Sequence, residues 1–227
     1  AISSKMKAQI RGLDMASKNA EDGISMVKTA EGAMEEVNNM LTRIRDLAVQ
    51  SANATNTDAD RANLQLEVAQ LETEINEIGK RTEFNTLKVL SQQGVKGNLQ
   101  VGANKGQVID ISNYFKSGVS AKSLGISKIS VASAGLATSA INTLDDAIKK
   151  LAENRANLGA LQNRLEYTVK NLNVSSENLS AANSRIEDAD MAKEMMNLTS
   201  ANVLQQAATS MLAQANQAPQ SITQLLG

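Results

Sequence analysis

Residues 141–186 read INTLDDAIKKLAENRANLGALQNRLEYTVKNLNVSSENLSAANSRI, and their apolar positions decide the fold. Ile141, Leu144, Ile148, Leu151, Leu158, Leu165, Val169, Leu172, Leu179 and Ile186 follow the alternating three- and four-residue spacing of a coiled-coil seam. Arg155, Gln162, Ser176 and Asn183 occupy the remaining seam positions, where polar groups fix register or snorkel at a partly open edge. Such a helix is on the order of 65 Å long at 1.5 Å per residue. A rod of that length cannot fold back into a ball, so other helices must lie alongside it.

Two further segments supply those partners. Val27, Ala30, Met34, Val37, Leu41, Ile44 and Ala48 keep the same rhythm, and so do Leu64, Val68, Leu71, Ile75 and Ile78. Thr57 and Asp60 form a capping-box start for the second, and Gly79 reads as its stop. Between the second and third rods, residues 99–111 alternate around a Gly- and Asn-containing turn, which predicts a β-hairpin. The Ser- and Gly-containing stretch 117–135 is expected to hold short strands and loops. The fold class is therefore mainly α: an elongated coiled-coil-like helical bundle with a small β-hairpin insert and a C-terminal helix. The expected divisions are 1–84 and 136–186 for the rod, 85–135 for the insert and 187–227 for the C-terminal helix.

That last helix has an unusual composition. After Glu194 no Asp, Glu, Lys or Arg occurs, while Met, Leu, Val and Ala mix with many Gln and Asn. The amides interrupt every window long enough to span a bilayer, so membrane insertion is not expected. Disordered tails favour charge over Leu and Met. The segment points instead to a protein partner, foremost further copies of the same molecule. The acidic run Glu187, Asp188, Asp190 suits its N-terminus, and Pro219 is expected to end it near Gln217.

Composition narrows the chemistry. With no His and no Cys, the chain lacks the commonest metal ligands, thiol nucleophiles and imidazole acid–base groups. A net charge of −1 with interspersed signs leaves no footprint for nucleic acid. The glycines at 94, 97, 102, 106 and 118 do not follow a phosphate-loop spacing. Glu35–Glu36 and the 187–190 cluster read as solvated helix surface. Met191, Met195, Met196 and Met211 read as adaptable packing rather than thioether ligands. No catalytic, cofactor or metal site is expected, and the chain is not read as an enzyme. In LTRIRDLAVQ (41–50), Arg43 and Asp46 stand one turn apart and are expected to pair.

Several segments resemble bacterial flagellin: AISSKMKAQIRGLDMASKNAEDGIS (1–25), TAEGAMEEVNNMLTRIRDLAVQSAN (29–53), TEFNTLKVL (82–90) and LQVGAN (99–104). RANLGALQNRLE (155–166), SRIEDADMAKEM (184–195) and LQQAATSMLAQANQAPQ (204–220) continue the likeness in the family's order. The resemblance implies an extracellular structural subunit of the flagellar filament, used in motility. It further implies export through the flagellar type III apparatus and self-assembly through the helical ends. A hook–filament junction or needle-tip protein is the alternative. Family members carry an additional N-terminal helix, and the sequence, which begins with Ala, is expected to lack its true start. Without that helix the chain is expected to stay monomeric, with its tail mobile alone and helical when bound. The usual variable outer domains are reduced to about 105–135.

By matching position, the resemblance also assigns Arg43, Leu47, Gln50 and Glu67 as contacts for the vertebrate Toll-like flagellin receptor, with Arg45 and Asp46 nearby. Thr42 and Asp46 depart from the Gln and Glu of many receptor-active members. Met191, Met195, Leu198, Leu204, Met211 and Leu212 are assigned to assembly and to the groove of the family's export chaperone.

Overall fold

The computed structural model describes residues 1–91, 93–115, 118–188 and 191–225; the side chains of 191, 192 and 216–225 lie outside that description. Helix α1 spans Ile2–Ala52 and α2 spans Asp58–Arg81. Two short hairpins follow, β1 Glu83–Phe84 with β2 Leu87–Lys88, and β3 Asn98–Gln100 with β4 Val108–Asp110. A single turn, α3 Ala121–Leu124, leads to α4 Ala134–Glu187 and then α5 Met191–Leu225.

Cross-links fix the directions of the rods. Asp14 meets Ser176, Ser17 meets Asn173, Glu31 meets Arg155 and Arg45 meets Asp145, so α1 and α4 run antiparallel. Arg43 meets Glu67 and Ser51 meets Arg61, so α2 folds back along the end of α1. All seven seam residues expected in α1 are buried, as are Leu144, Leu151, Leu158, Leu165 and Leu172 of α4. This is the elongated bundle the heptads require.

The seam weakens toward Glu187. Leu179 is half-buried and Ile186 exposed, against expectation. Helix α2 accompanies only the upper part of α1. The β3–β4 hairpin lines the stem near Gly12 and Asn19; below it the described residues form a two-helix pair, so the heptad continues after its lining has ended. Polar seam residues find local partners there: Ser176 donates to Asp14 at 2.8 Å and Asn183 donates to Glu187 at 3.4 Å. Higher up, Gln162 donates to Glu166 at 2.9 Å and Arg155 approaches Glu31 at 3.7 Å.

The turn between α1 and α2 is pinned from inside. Thr57 and Asp60 form the expected capping box. Buried Arg61 donates to the carbonyls of Ser51 and Asn53 at 3.0 and 3.1 Å and pairs with Asp58 at 3.2 Å. A guanidinium suits this position because its planar fork reaches several fixed oxygens at once.

Gly79 does not stop α2, which continues to Arg81. A Cβ there would lie 1.8 Å from the carbonyl oxygen of Val119, so the glycine lets the insert cross the helix backbone. Side-chain amides bind the same strap along α2. Asn76 accepts from Ala121 N–H at 2.9 Å and Gln65 from Val131 N–H at 2.6 Å. The stretch 117–135 thus holds α3 and loops, with no strand among its described residues. Two-residue strands β1 and β2, joined by left-handed Asn85 and Thr86, are an element the alternation did not reveal. The predicted hairpin is present as β3–β4 and rests on α1, where Asn19 donates to the carbonyl of Gln100 at 3.1 Å.

At the foot of the stem Glu187 receives Lys7 at 2.5 Å, together with Ser3 and Asn183. These donors, Lys7 first and Ser3 second, hold its carboxyl down from the ordinary 4.5 to about 2. A depressed carboxylate contributes its stability above the unfolded value and loses it as pH falls through the folded one. Carbon-detected NMR should therefore show Glu187 ionised at pH 4. Fraying of Ala1–Lys7 should begin only as pH drops from about 4.5 toward 2. Titration of Glu187 near its ordinary value, with no change in the stem, would contradict the clasp.

Candidate functional site

The motif LTRIRDLAVQ lies where α1, α2 and α4 run side by side. Its apolar members Leu41, Ile44, Leu47 and Ala48 are 0 % exposed and form the floor. Arg43 and Arg45 flank Ile44 and reach opposite ways. Arg43 Nη2 lies 2.7 Å and its Nε 2.8 Å from Glu67 Oε1 on α2. Arg45 Nε donates to Asp145 on α4 at 2.7 Å, a bond that raises the guanidinium's pKa further. The two arginines thus stitch the outer helices to the middle one across half-exposed surface.

This geometry revises two sequence expectations. Arg43 pairs with Glu67, not Asp46: helical side chains lean toward the N-terminus, and a longer carboxylate stands opposite on α2. Leu47 is not a surface contact but a core residue. The seam count assigned Leu41, Ile44 and Ala48 to the interface, yet a helix sandwiched between two partners buries a wider stripe. Arg43, Asp46 and Gln50 are on the surface, and Arg45 and Glu67 are half-buried. Neither Asp145 nor Leu66, a largely exposed apolar side chain beside Glu67, stood out in the sequence.

Helix α5 is the second candidate. Every residue from 193 to 215 is exposed, including Met195, Leu198, Leu204, Met211 and Leu212; the side chain of Met191 lies outside the described residues. At about 100° per residue these apolar groups, with Met196 and Val203, surround the helix rather than line one stripe. A helix apolar on all sides is normally enclosed. Its backbone runs past Pro219 to Leu225, so proline does not end it; proline's fixed φ suits a helix and only one donor is lost. Ala, Leu, Met and Gln favour helix intrinsically, which suits a segment whose residues from 193 to 215 are all exposed.

Among the described residues no group of His, Cys, Asp and Glu could hold a metal ion. Among the same residues no helix is long and apolar enough to cross a membrane.

Comparison with known proteins fits this arrangement. The bacterial flagellin N-terminal helical region matches residues 1–94, and the bacterial flagellin C-terminal helical region matches 141–226. The chain belongs to the bacterial flagellin family. A flagellin of Halalkalibacterium halodurans is 52% identical over 226 residues, covering 100% of this chain and 83% of the relative. Bacillus subtilis flagellin is 44% identical over 260 residues, covering 100% and 84%. A flagellar filament 31.3 kDa core protein of Treponema maltophilum is 43% identical over 239 residues, again covering 100% and 84%. Among solved flagellin structures, that of Bacillus cereus superposes with a TM-score of 0.61 at 30% identity, covering 73% of this chain and 94% of the other. The span between the two matched regions contains β3, β4, α3 and the start of α4.

Proposed function

We propose that this flagellin is a structural subunit of the bacterial flagellar filament, outside the cell, exported by the flagellar type III apparatus and assembled with further flagellin subunits. The observation that carries the reading is α5: a helix uncharged after Glu194, with large apolar side chains on every side and every residue from 193 to 215 exposed. Neighbouring subunits enclose it in the filament, and the export chaperone shields it beforehand through Met195, Leu198, Leu204, Met211 and Leu212. Met191 belongs to the same proposal by sequence position.

Hydrogen exchange should follow α5 through both steps. Its amides exchange fast in the free chain and become strongly protected in the chaperone complex and in filaments. Leu204→Asp with Met211→Asp puts charge on the enclosed surface and should weaken chaperone binding at least a hundredfold. The melt of the rod should not move. Equal protection in free and bound states, or undiminished binding by the charged variant, would remove α5 from the interface.

A second reading concerns the arginine face. Arg43, Gln50 and Glu67, with Arg45 and Asp46 at the edge, form a contact surface for the vertebrate Toll-like flagellin receptor. Leu47 supports that surface from beneath. The receptor must compete with Glu67 for Arg43, so an acidic partner side chain fits the site.

A further inference from the structure

The methionines of this chain span the range of exposure, with Met6 and Met40 half-buried. Met26 and Met34 lie in the core at 4% and 3% exposed, whereas Met195, Met196 and Met211 on α5 stand at 54%, 66% and 71%. Met195 and Met196 share an open apolar strip with Val203 and Leu204. By angular position the three α5 thioethers spread over an arc of roughly 160°, so a partner that encloses the helix meets all of them. Thr199 and Ser200 line the same strip, and the helix carries no charge after Glu194.

We propose that Met195, Met196 and Met211 form an oxidation site that switches off docking of α5. The reactant is a two-electron oxidant such as hypochlorous acid or hydrogen peroxide. With hypochlorous acid, the thioether sulfur attacks the oxygen and forms the S–O bond while the O–Cl bond breaks. Chloride leaves and the hydroxyl proton passes to water. Sulfur is oxidised to the sulfoxide and the chlorine is reduced to chloride. Each conversion replaces a flexible apolar group by a polar, chiral one. A helix that must be enclosed on all sides then carries three dipoles into the contact, with no charged side chain of its own after Glu194 to receive them. Exposure makes the site available only before docking; an enclosed α5 protects its own sulfurs. The free subunit is therefore the vulnerable form.

The inference rests on the reading of α5 as the docking helix, and the test separates the two. The full chain is treated with limiting hypochlorous acid, mapped by peptide mass spectrometry, and titrated calorimetrically against the flagellar export chaperone. Met195, Met196 and Met211 should oxidise at least tenfold faster than Met26 and Met34. Chaperone affinity should fall at least tenfold and return after treatment with methionine sulfoxide reductases. Met15, 56% exposed on the stem, also oxidises and serves as the internal control, because Met15→Leu should not prevent the loss. The triple variant Met195→Leu, Met196→Leu, Met211→Leu should show the same affinity before and after oxidant, whatever that affinity is. Core and α5 methionines reacting alike, an oxidised parent that binds unchanged, or a triple variant as sensitive as the parent would each overturn the switch. A reduced parent that fails to bind at all would instead overturn the docking reading, and the switch with it.

Discussion

Leu47→Ala should melt far below the parent, by about 2–5 kcal/mol, while leaving the arginine face chemically unchanged. In a chain of this size that corresponds to a fall of about 5–15 °C in Tm. The large effect follows from burial: Leu47 is 0% exposed beside Leu41, Ile44 and Ala48, and a truncated side chain leaves a cavity among three helices that cannot all move inward. Arg43→Ala should do the opposite. Its bond to Glu67 joins two half-exposed groups, so screening limits the change in stability to about 0.5 kcal/mol. If the face binds the receptor, loss of that guanidinium should cost about 2 kcal/mol of affinity, roughly thirtyfold. Thermal melts paired with receptor titrations separate the two residues. A Leu47→Ala chain that melts with the parent, or an Arg43→Ala chain that melts early, would invert the assignment of floor and surface.

The second large effect is expected at Gly79. The added methyl of Gly79→Ala would stand 1.8 Å from a backbone oxygen, so it cannot be absorbed by a rotamer change. The strap must lift, straining the 2.9 Å bond from Val119 N–H to Leu90 O and the Asn76 bond to Ala121. A loss of about 2–4 kcal/mol is expected, combining overpacking with weakened hydrogen bonds. Gly32→Ala makes the contrast. That glycine lies within α1 with nothing within 4 Å of the added methyl, so alanine should stabilise by about 0.5–1 kcal/mol through helix propensity. Denaturant melts of opposite sign for the same substitution would show that contact, not conformation, governs Gly79. Two shifts of the same sign would refute it.

The rods were legible because their seam repeats over many turns, and a long periodic pattern survives a few exceptions. Thr57 with Asp60 was legible for a different reason: a capping box is local and needs no knowledge of what packs nearby. Leu47 was misplaced because a heptad names the residues facing one neighbour, whereas α1 has two. Ile186 failed in reverse, continuing a pattern below the level where helices and hairpin line it. Gly79 illustrates an ambiguity that a single sequence cannot remove. A glycine near a helix end serves equally as a stop or as a crossing point, and only the path of the strap decides. The candidate surface residues came through the likeness to flagellins; their ion pairs, Arg43 with Glu67 and Arg45 with Asp145, became visible only once three helices were side by side.

The antiparallel pairing of α1 with α4 has a mechanical consequence. Ser17 bonds Asn173 and Lys7 bonds Glu187, so residues separated by more than a hundred positions close at the stem. The α1–α2 turn instead joins near neighbours, with Arg61 already holding Ser51 and Asn53. Refolding should nucleate at that turn and zip downward, the stem closing last because its loop is longest. Traction on α4 from its Glu187 end would travel the same route backwards. It would meet the Lys7 clasp and the thinly packed stem first, and the three-helix section only afterwards, so the molecule unravels from its weakest end as a peeled seam rather than a sheared block.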